Sequence, residues 1–270
     1  MICNTFKRLA LNTWEKISQS KAVNFQLKEE TFTDLNMLDI KRTHPLKVKT
    51  KVFTKHEEGQ NGADWEWWFR NTKSQWIGFR IQAKIMNNLS NEFEHLHYQS
   101  AKTKVFQCDK LIQKSLTKVA PKVPLYCFYL QSDNKKYLTK WSCGTFPATK
   151  DLWGCSLVSA FDVKSLRPKN KNHLTDLEPF LKPWHCLVCC TGYGGNDHIE
   201  NIDNYVKRNF PVDNTVALEL ELSTPETFIT EKPPQYVLSI VENENNDNIF
   251  TEDEDLRGVL IYTFDEEDEK

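Results

Sequence analysis

The arrangement of apolar and polar positions is clearest in two neighbouring stretches. Residues 62–69, GADWEWWF, and 76–84, WIGFRIQAK, each read as a strand. In the second, Ile77, Phe79, Ile81 and Ala83 fall on one face, because side chains alternate along a strand. Gly78, Arg80, Gln82 and Lys84 share the other face. In the first stretch the same rule puts Asp64 and Glu66 on one face. Asp64 and Gln82 are 18 positions apart (82 − 64), and the polar run Asn71-Thr72-Lys73-Ser74 lies between them. That spacing predicts an antiparallel hairpin.

The flanking segments carry weaker periodicities. Residues 21–40 predict a helix, with Val23, Leu27, Phe32, Leu35 and Leu38 at apolar positions and Pro45 closing it. Residues 46–56 alternate as a strand, and residues 57–62 form a loop before the hairpin. Three consecutive antiparallel strands over 47–86 follow from this. Residues 87–104 are polar, while Leu111, Ile112, Leu116 and Val119 predict a helix over 107–120. Residues 125–130, LYCFYL, read as a buried strand. Further on, a helix is expected over 154–166 and strands over 183–190, 235–241 and 258–264. Another helix is expected over 198–209, capped by Asp197. The acidic, Asn-rich run 242–255 reads as an exposed loop. No repeat and no sharp composition boundary divides the chain, and residues 169–173 are the best linker candidate.

Composition adds limits. A chain of 270 residues can bury a core without staples. The 35 basic and 37 acidic residues nearly cancel, so total charge argues neither for nor against a nucleic-acid partner. The sign is uneven, however. Residues 47–55 and 102–122 are lysine-rich, whereas 264–270 form an acidic tail that reads as solvated. No apolar run suits a signal peptide or a membrane span. The expectation is a cytoplasmic protein with no membrane partner, whose eight cysteines are reduced thiols.

An acidic pair, an amide and a lysine converging on one hairpin could hold a divalent cation beside a positive charge, which phosphodiester cleavage requires. The order helix, three strands, helix, strand, together with Asp64 and Gln82-Ala83-Lys84, resembles the PD-(D/E)XK nuclease superfamily over residues 21–130. The stretch KHEEGQNGADWEWWF also looks like a bacterial family of unknown function associated with phage defence. The resemblance implies an α/β (α+β) fold with a restriction-endonuclease-like core and a mixed central sheet flanked by helices. Residues 131–270 would be a C-terminal extension or a continuation of the same domain. It implies Asp64, Gln82 and Lys84 as catalytic residues, with Asp64, Gln82, Glu30 and Glu58 holding Mg²⁺ or Mn²⁺. Glu66 and Gln107 would support them. Gln82 departs from the commoner Asp or Glu and supplies a neutral carbonyl oxygen. The implied activity is hydrolysis of DNA in defence against foreign DNA, with a homodimer or a protein partner compatible with it. The rival is a catalytically lapsed nuclease fold that acts as a sensor or binding module.

Other motifs have plainer readings. Trp65, Trp67 and Trp68 read as core packing, against the alternative of stacking on a base. His185, Cys186, Cys189 and Cys190 contain a C-x-x-C that Cys143, Cys155 and His198 could complete as a composite site, but a strand puts Cys186 and Cys189 on opposite faces, so core packing is the reading and no zinc is expected. Cys186 and Cys189 are expected buried and unpaired. Residues 191–195, TGYGG, lack a following GK[ST] and read as a tight turn. His56, His95 and His97 lie close to the candidate site in sequence and read as surface histidines.

Overall fold

The computed structural model describes residues 1–53, 64–133, 149–189, 192–246, 248, 249, 251, 253, 256–265 and 268. The first part of the chain forms α1 (Ile2–Ala22), α2 (Glu29–Thr43), β1 (Val48–Val52), β2 (Asp64–Arg70), β3 (Trp76–Ile85), α3 (Gln107–Ser115) and β4 (Lys122–Tyr129). There follow β5 (Cys155–Ser159), α4 (Ala160–Leu166), α5 (Leu174–Leu177), β6 (Lys182–Pro183), α6 (Cys186–Cys189), α7 (His198–Asn209) and α8 (Asn214–Glu219). The chain closes with β7 (Ile229–Thr230), α9 (Gln235–Glu242) and β8 (Leu256–Thr263). The fold is mixed α/β of the α+β kind, a central mixed sheet flanked by helices.

The sheet runs β1-β8-β2-β3-β4-β5-β6, with β7 paired to the start of β3. The predicted hairpin is present: β2 and β3 are antiparallel, with Glu66 opposite Arg80 and Trp68 opposite Gly78. Gly78 has a steric reason, since a Cβ there would stand 2.6 Å from the Trp68 ring. The turn is organised by Asn71, whose Oδ1 accepts from the Lys73 and Gln75 amides at 3.0 Å each. Asn71 Nδ2 in turn donates to Asp197 at 3.0 Å. Asp197 also caps α7 by accepting from Glu200 N, as its position before 198–209 predicts.

Alternation fixes both sides of the sheet. Trp65, Trp67, Phe69, Ile77, Phe79 and Ile81 join the larger core with Phe6 of α1 and Phe32 of α2. Trp68 and Trp76 face the other way, into a smaller core with Val237 and Ile240 of α9. All three tryptophans of the 65–68 run are buried, so the base-stacking alternative is excluded and packing is their role.

Several expectations are corrected. The three strands over 47–86 are not consecutive in the sheet, because β8 lies between β1 and β2 and runs parallel to β2. The strand expected over 258–264 exists, but it is central, so the second half of the chain completes the sheet of the first. The helix over 21–40 begins only at Glu29, and α1 occupies the N-terminus instead. Asn24, at φ 53°, lies in the break between them. The apolar row Val23, Leu35, Leu38 is exposed, and Phe32, Met37 and Ile40 are buried in its place. Residues 154–166 form β5 and then α4, because the β-prone CSLVS run pairs with β4. The strand expected over 183–190 shrinks to β6 followed by α6, and that over 235–241 is α9. The loop over 57–62, Glu58 and His56 lie outside the described residues.

The cysteines and the acidic tail also differ from expectation. Cys3 and Cys189 form a disulfide that ties α1 to α6, whereas Cys108, Cys127, Cys155 and Cys186 are buried thiols. Cys189 is therefore not unpaired, and the C-x-x-C cannot offer two thiolates to a metal. In the tail, Asp268 is buried and pairs with Lys47 at 2.8 Å, and Asp265 pairs with the same lysine at 2.9 Å. Asp268 is thus packed and not solvated, while Asp265 stays partly exposed. The disulfide closes a loop of 186 positions. Chain entropy for so long a loop predicts that Cys3→Ser lowers stability by about 2–5 kcal/mol. Urea melts without reductant test this, and dithiothreitol should move wild type to the midpoint of the variant.

Candidate active site

The candidate residues stand at one end of the β2–β3 hairpin. On β3, Arg80, Gln82 and Lys84 succeed one another on the face opposite Phe79, Ile81 and Ala83. All three are buried, with Gln82 at 2% and Lys84 at 5% exposure. The recorded register pairs Trp65 with Ile81. That ladder begins at Trp65, and the pairing of β2 with β8 is irregular between Asp64 and Trp65. Tyr126 of β4 flanks Gln82 on the other side.

Lower on the same face the charges are consumed by one another. Glu66 is fully buried and accepts from Trp68 Nε1 at 3.0 Å and from the Tyr236 hydroxyl at 2.5 Å. Its other oxygen lies 3.2 Å from Lys122 Nζ and 3.4 Å from Arg80. Arg80 also reaches Asp253 at 2.5 Å, and Lys114 approaches Asp253 at 3.5 Å. Burial, with the Glu66 carboxylate beside it, raises the Tyr236 phenol far above its ordinary pKa and keeps it a donor. Glu66 is thus committed to a structural network, and its expected supporting role at a metal is not one its contacts favour.

At the open end of β3 the situation differs. The N-terminus of α2 arrives there, and the Glu29 carboxylate accepts from the Ile85 amide. Glu29, Glu30, Lys84, Glu94 and His95 line one cleft of about 350 Å³. Burial raises the Glu29 carboxyl above its ordinary 4.5, the Lys84 charge opposes that rise, and Glu30 adds to it. Sequence reasoning selected Glu30, which is exposed, whereas Glu29 is the half-buried carboxylate coupled to Lys84. The signal available was the helix start, since residues of the first turn point along the incoming chain.

Gln107 opens α3, the helix that packs on β3 and β4. β3 and β4 are parallel, so the intervening α3 runs back against them. Lys114 near the end of α3 meets Asp253, the partner of Arg80. Gln107 lies seven residues earlier, about 10 Å back along the helix axis. The Gln107 Oε1 is buried and has no hydrogen-bond partner among the described residues.

The donor chemistry is uniform. Glu29, Glu30, Gln82 and Gln107 offer oxygens only, the set that suits Mg²⁺ or Mn²⁺ over zinc or copper. The orphaned Gln107 oxygen fits an additional ligand or water in that set. Among the described residues, no three His, Cys, Asp or Glu side chains already converge as a cage.

The raised Glu29 carboxyl has a consequence for stability. Its folded pKa lies above the unfolded value, so the folded state binds the extra proton. Stability from this group is complete below about pH 4.5 and is lost as pH rises through the folded pKa. Glu29→Gln should therefore be more stable than wild type at pH 8, with the difference closing toward pH 4. Urea melts of both proteins across that range provide the check.

The chain belongs to a family of unknown function, DUF6615, whose profile matches residues 2–268. No curated protein and no solved structure matches it. Among the described residues, no helix is long and apolar enough to cross a membrane.

Proposed function

We propose that this chain is a metal-dependent nuclease of the PD-(D/E)XK kind that hydrolyses DNA. The observation that carries the reading is the meeting of Lys84 with Glu29, at a helix start, in an open cleft, with Gln82 buried two positions before Lys84 on the same strand face. Supporting it, the β2–β3 hairpin, the α3 crossover and parallel β4 reproduce the order of elements that the resemblance implies. The interposed β8 departs from a simple three-strand meander, but it lies beyond β2, away from Gln82 and Lys84.

In this reading Asp64, Gln82 and Glu29 hold the ion, with Glu30 and Gln107 behind them. Bound Mg²⁺ or Mn²⁺ supplies a Lewis acid and a water of lowered pKa. The Lys84 ammonium faces the phosphate and offsets charge that develops on it. Glu29 holds Lys84 in place by charge and anchors itself on the Ile85 amide. Gln82 contributes a neutral carbonyl oxygen, so the site carries one negative charge fewer than a carboxylate version. A role in defence against foreign DNA rests on the resemblance alone, and a cytoplasmic location on the sequence reading of no signal peptide and no membrane span.

The test is incubation of the pure protein with labelled DNA in Mg²⁺, Mn²⁺ or EDTA. Cleavage with metal and none with EDTA is the expected result. The second reading, a lapsed nuclease fold that binds or senses, is kept alive by Gln82. It predicts DNA binding with no cleavage in any metal.

A further inference from the structure

The cleft opens beside an unevenly charged surface. Residues 100–122 carry six lysines and one acid, Asp109. Residues 164–171 add Lys164, Arg167, Lys169 and Lys171 with no acid. α3 and α4 pack against each other, so the two runs form one face. Asp109 is neutralised within it, 2.7 Å from Arg167 and 3.3 Å from Lys164. Lys102, Lys104, Lys118 and Lys169 are exposed, and among the described residues none of the four is in an ion pair. Lys114, Lys122, Lys164 and Lys171 are paired with Asp253, Glu66, Glu219 and Asp176, so the positive charge this face presents is that of the four exposed lysines.

This face is continuous with the cleft. His95 lines the cleft, and His97, two residues on, bonds the Lys171 carbonyl at 2.9 Å. The same segment continues into Lys102 and Lys104, and Gln99 and Phe106 bridge across its turn before α3 begins. No Phe, Tyr or Trp ring is exposed on this face among the described residues. Phe106 is capped by the Arg167 guanidinium, 4.1 Å from the ring centroid.

We infer that the loop before α3, the outer side of α3 and the turn after α4 are the surface on which the phosphate backbone of duplex DNA lies, leading into the cleft. The inference rests on the nuclease reading for the cleft and on charge for the surface. Lysines without exposed aromatic rings suit backbone contact, whereas single strands are held by bases stacked on such rings. Recognition by these residues carries no sequence information.

The experiment is fluorescence anisotropy of a labelled duplex in EDTA at several salt concentrations, so that no cleavage intervenes. The proteins are wild type, the triple variant Lys102→Ala, Lys104→Ala, Lys169→Ala, and a control carrying Lys16→Ala and Lys232→Ala elsewhere on the surface. All five positions are exposed, and equal melting temperatures establish that the variants fold. The triple variant should bind about ten- to a hundredfold more weakly at moderate salt, with a salt slope shallower by about 2.7, or 0.9 per lost phosphate contact. The control should match wild type. Equal affinity and slope for the triple variant and the control overturn the inference, as does tighter wild-type binding to single-stranded DNA or RNA. So does wild type that fails to bind at low salt. Binding that behaves as expected, with no cleavage on adding Mg²⁺ or Mn²⁺, removes the nuclease reading and leaves the surface standing.

Discussion

Glu66→Ala is expected to lower the unfolding free energy by about 3–5 kcal/mol, because it leaves Arg80 and Lys122 buried beside a missing carboxylate. It also strands the Trp68 indole N–H and the Tyr236 hydroxyl, both of which donate to Glu66. For a chain of this length each kcal/mol moves the melting temperature by about 2–4 °C. The transition should therefore fall by roughly 6–20 °C. Glu66→Gln keeps the side-chain shape and one acceptor oxygen, but it loses the charge and turns an NH2 donor toward one of the two donor pairs, so it should recover only part of the loss. As a contrast, Lys73 forms an ion pair with Asp197 while 61% exposed, and Lys73→Ala should cost under about 1 kcal/mol. Thermal melts followed by circular dichroism decide the matter. Equal shifts for Glu66→Ala and Lys73→Ala would mean that the buried network contributes no more than a surface pair.

Lys84→Met is expected to reduce cleavage by about 10²–10³, the usual effect of removing one preorganised charge from a transition state. The methionine keeps the length of the side chain and most of its packing, so the fold should survive. A second signature is independent of activity. Lys84 opposes the rise of the Glu29 pKa, so the variant should titrate Glu29 at a higher pH than wild type. Carboxyl carbon NMR reads that shift directly. An unchanged Glu29 titration would mean that the two groups are not coupled across the cleft.

The hairpin was legible because its alternation is strict and its turn polar. Ile77 through Ala83 could face only one way once Phe69 and Trp67 were opposite them. β8 was legible as a strand and illegible as a neighbour. Nothing in GVLIYTF states that it will insert between β1 and β2, since that depends on long-range pairing. Residues 183–190 and 235–241 misled because short apolar runs suit a buried strand and a buried helix equally well. α1 was passed over because its charged residues were weighed against a signal peptide, although Phe6, Leu9, Thr13, Trp14 and Ile17 lie at helical spacing. The disulfide was invisible because Cys3 and Cys189 are 186 positions apart and composition carries no pairing information. At the site, alternation put Gln82 and Lys84 on one strand face, as β3 has them, whereas Gln107 came from the resemblance. Glu29 was missed in favour of Glu30 because the predicted helix began too early, which shifted the first turn. Glu66 was grouped with Asp64 by parity alone, and only its partners Lys122, Arg80 and Tyr236 reveal what it does.

The central claim is that Asp64, Gln82 and Lys84 form a working phosphodiesterase site, and nicking of supercoiled plasmid tests it most directly. Wild type, Lys84→Ala and Asp64→Asn, purified identically, are compared with millimolar Mg²⁺ or Mn²⁺ and with EDTA. The account predicts metal-dependent nicking by wild type, a loss of about 10²–10³ in Lys84→Ala and none detectable in Asp64→Asn. Equal nicking by all three, which marks a contaminant, or no nicking by wild type in either metal would contradict it.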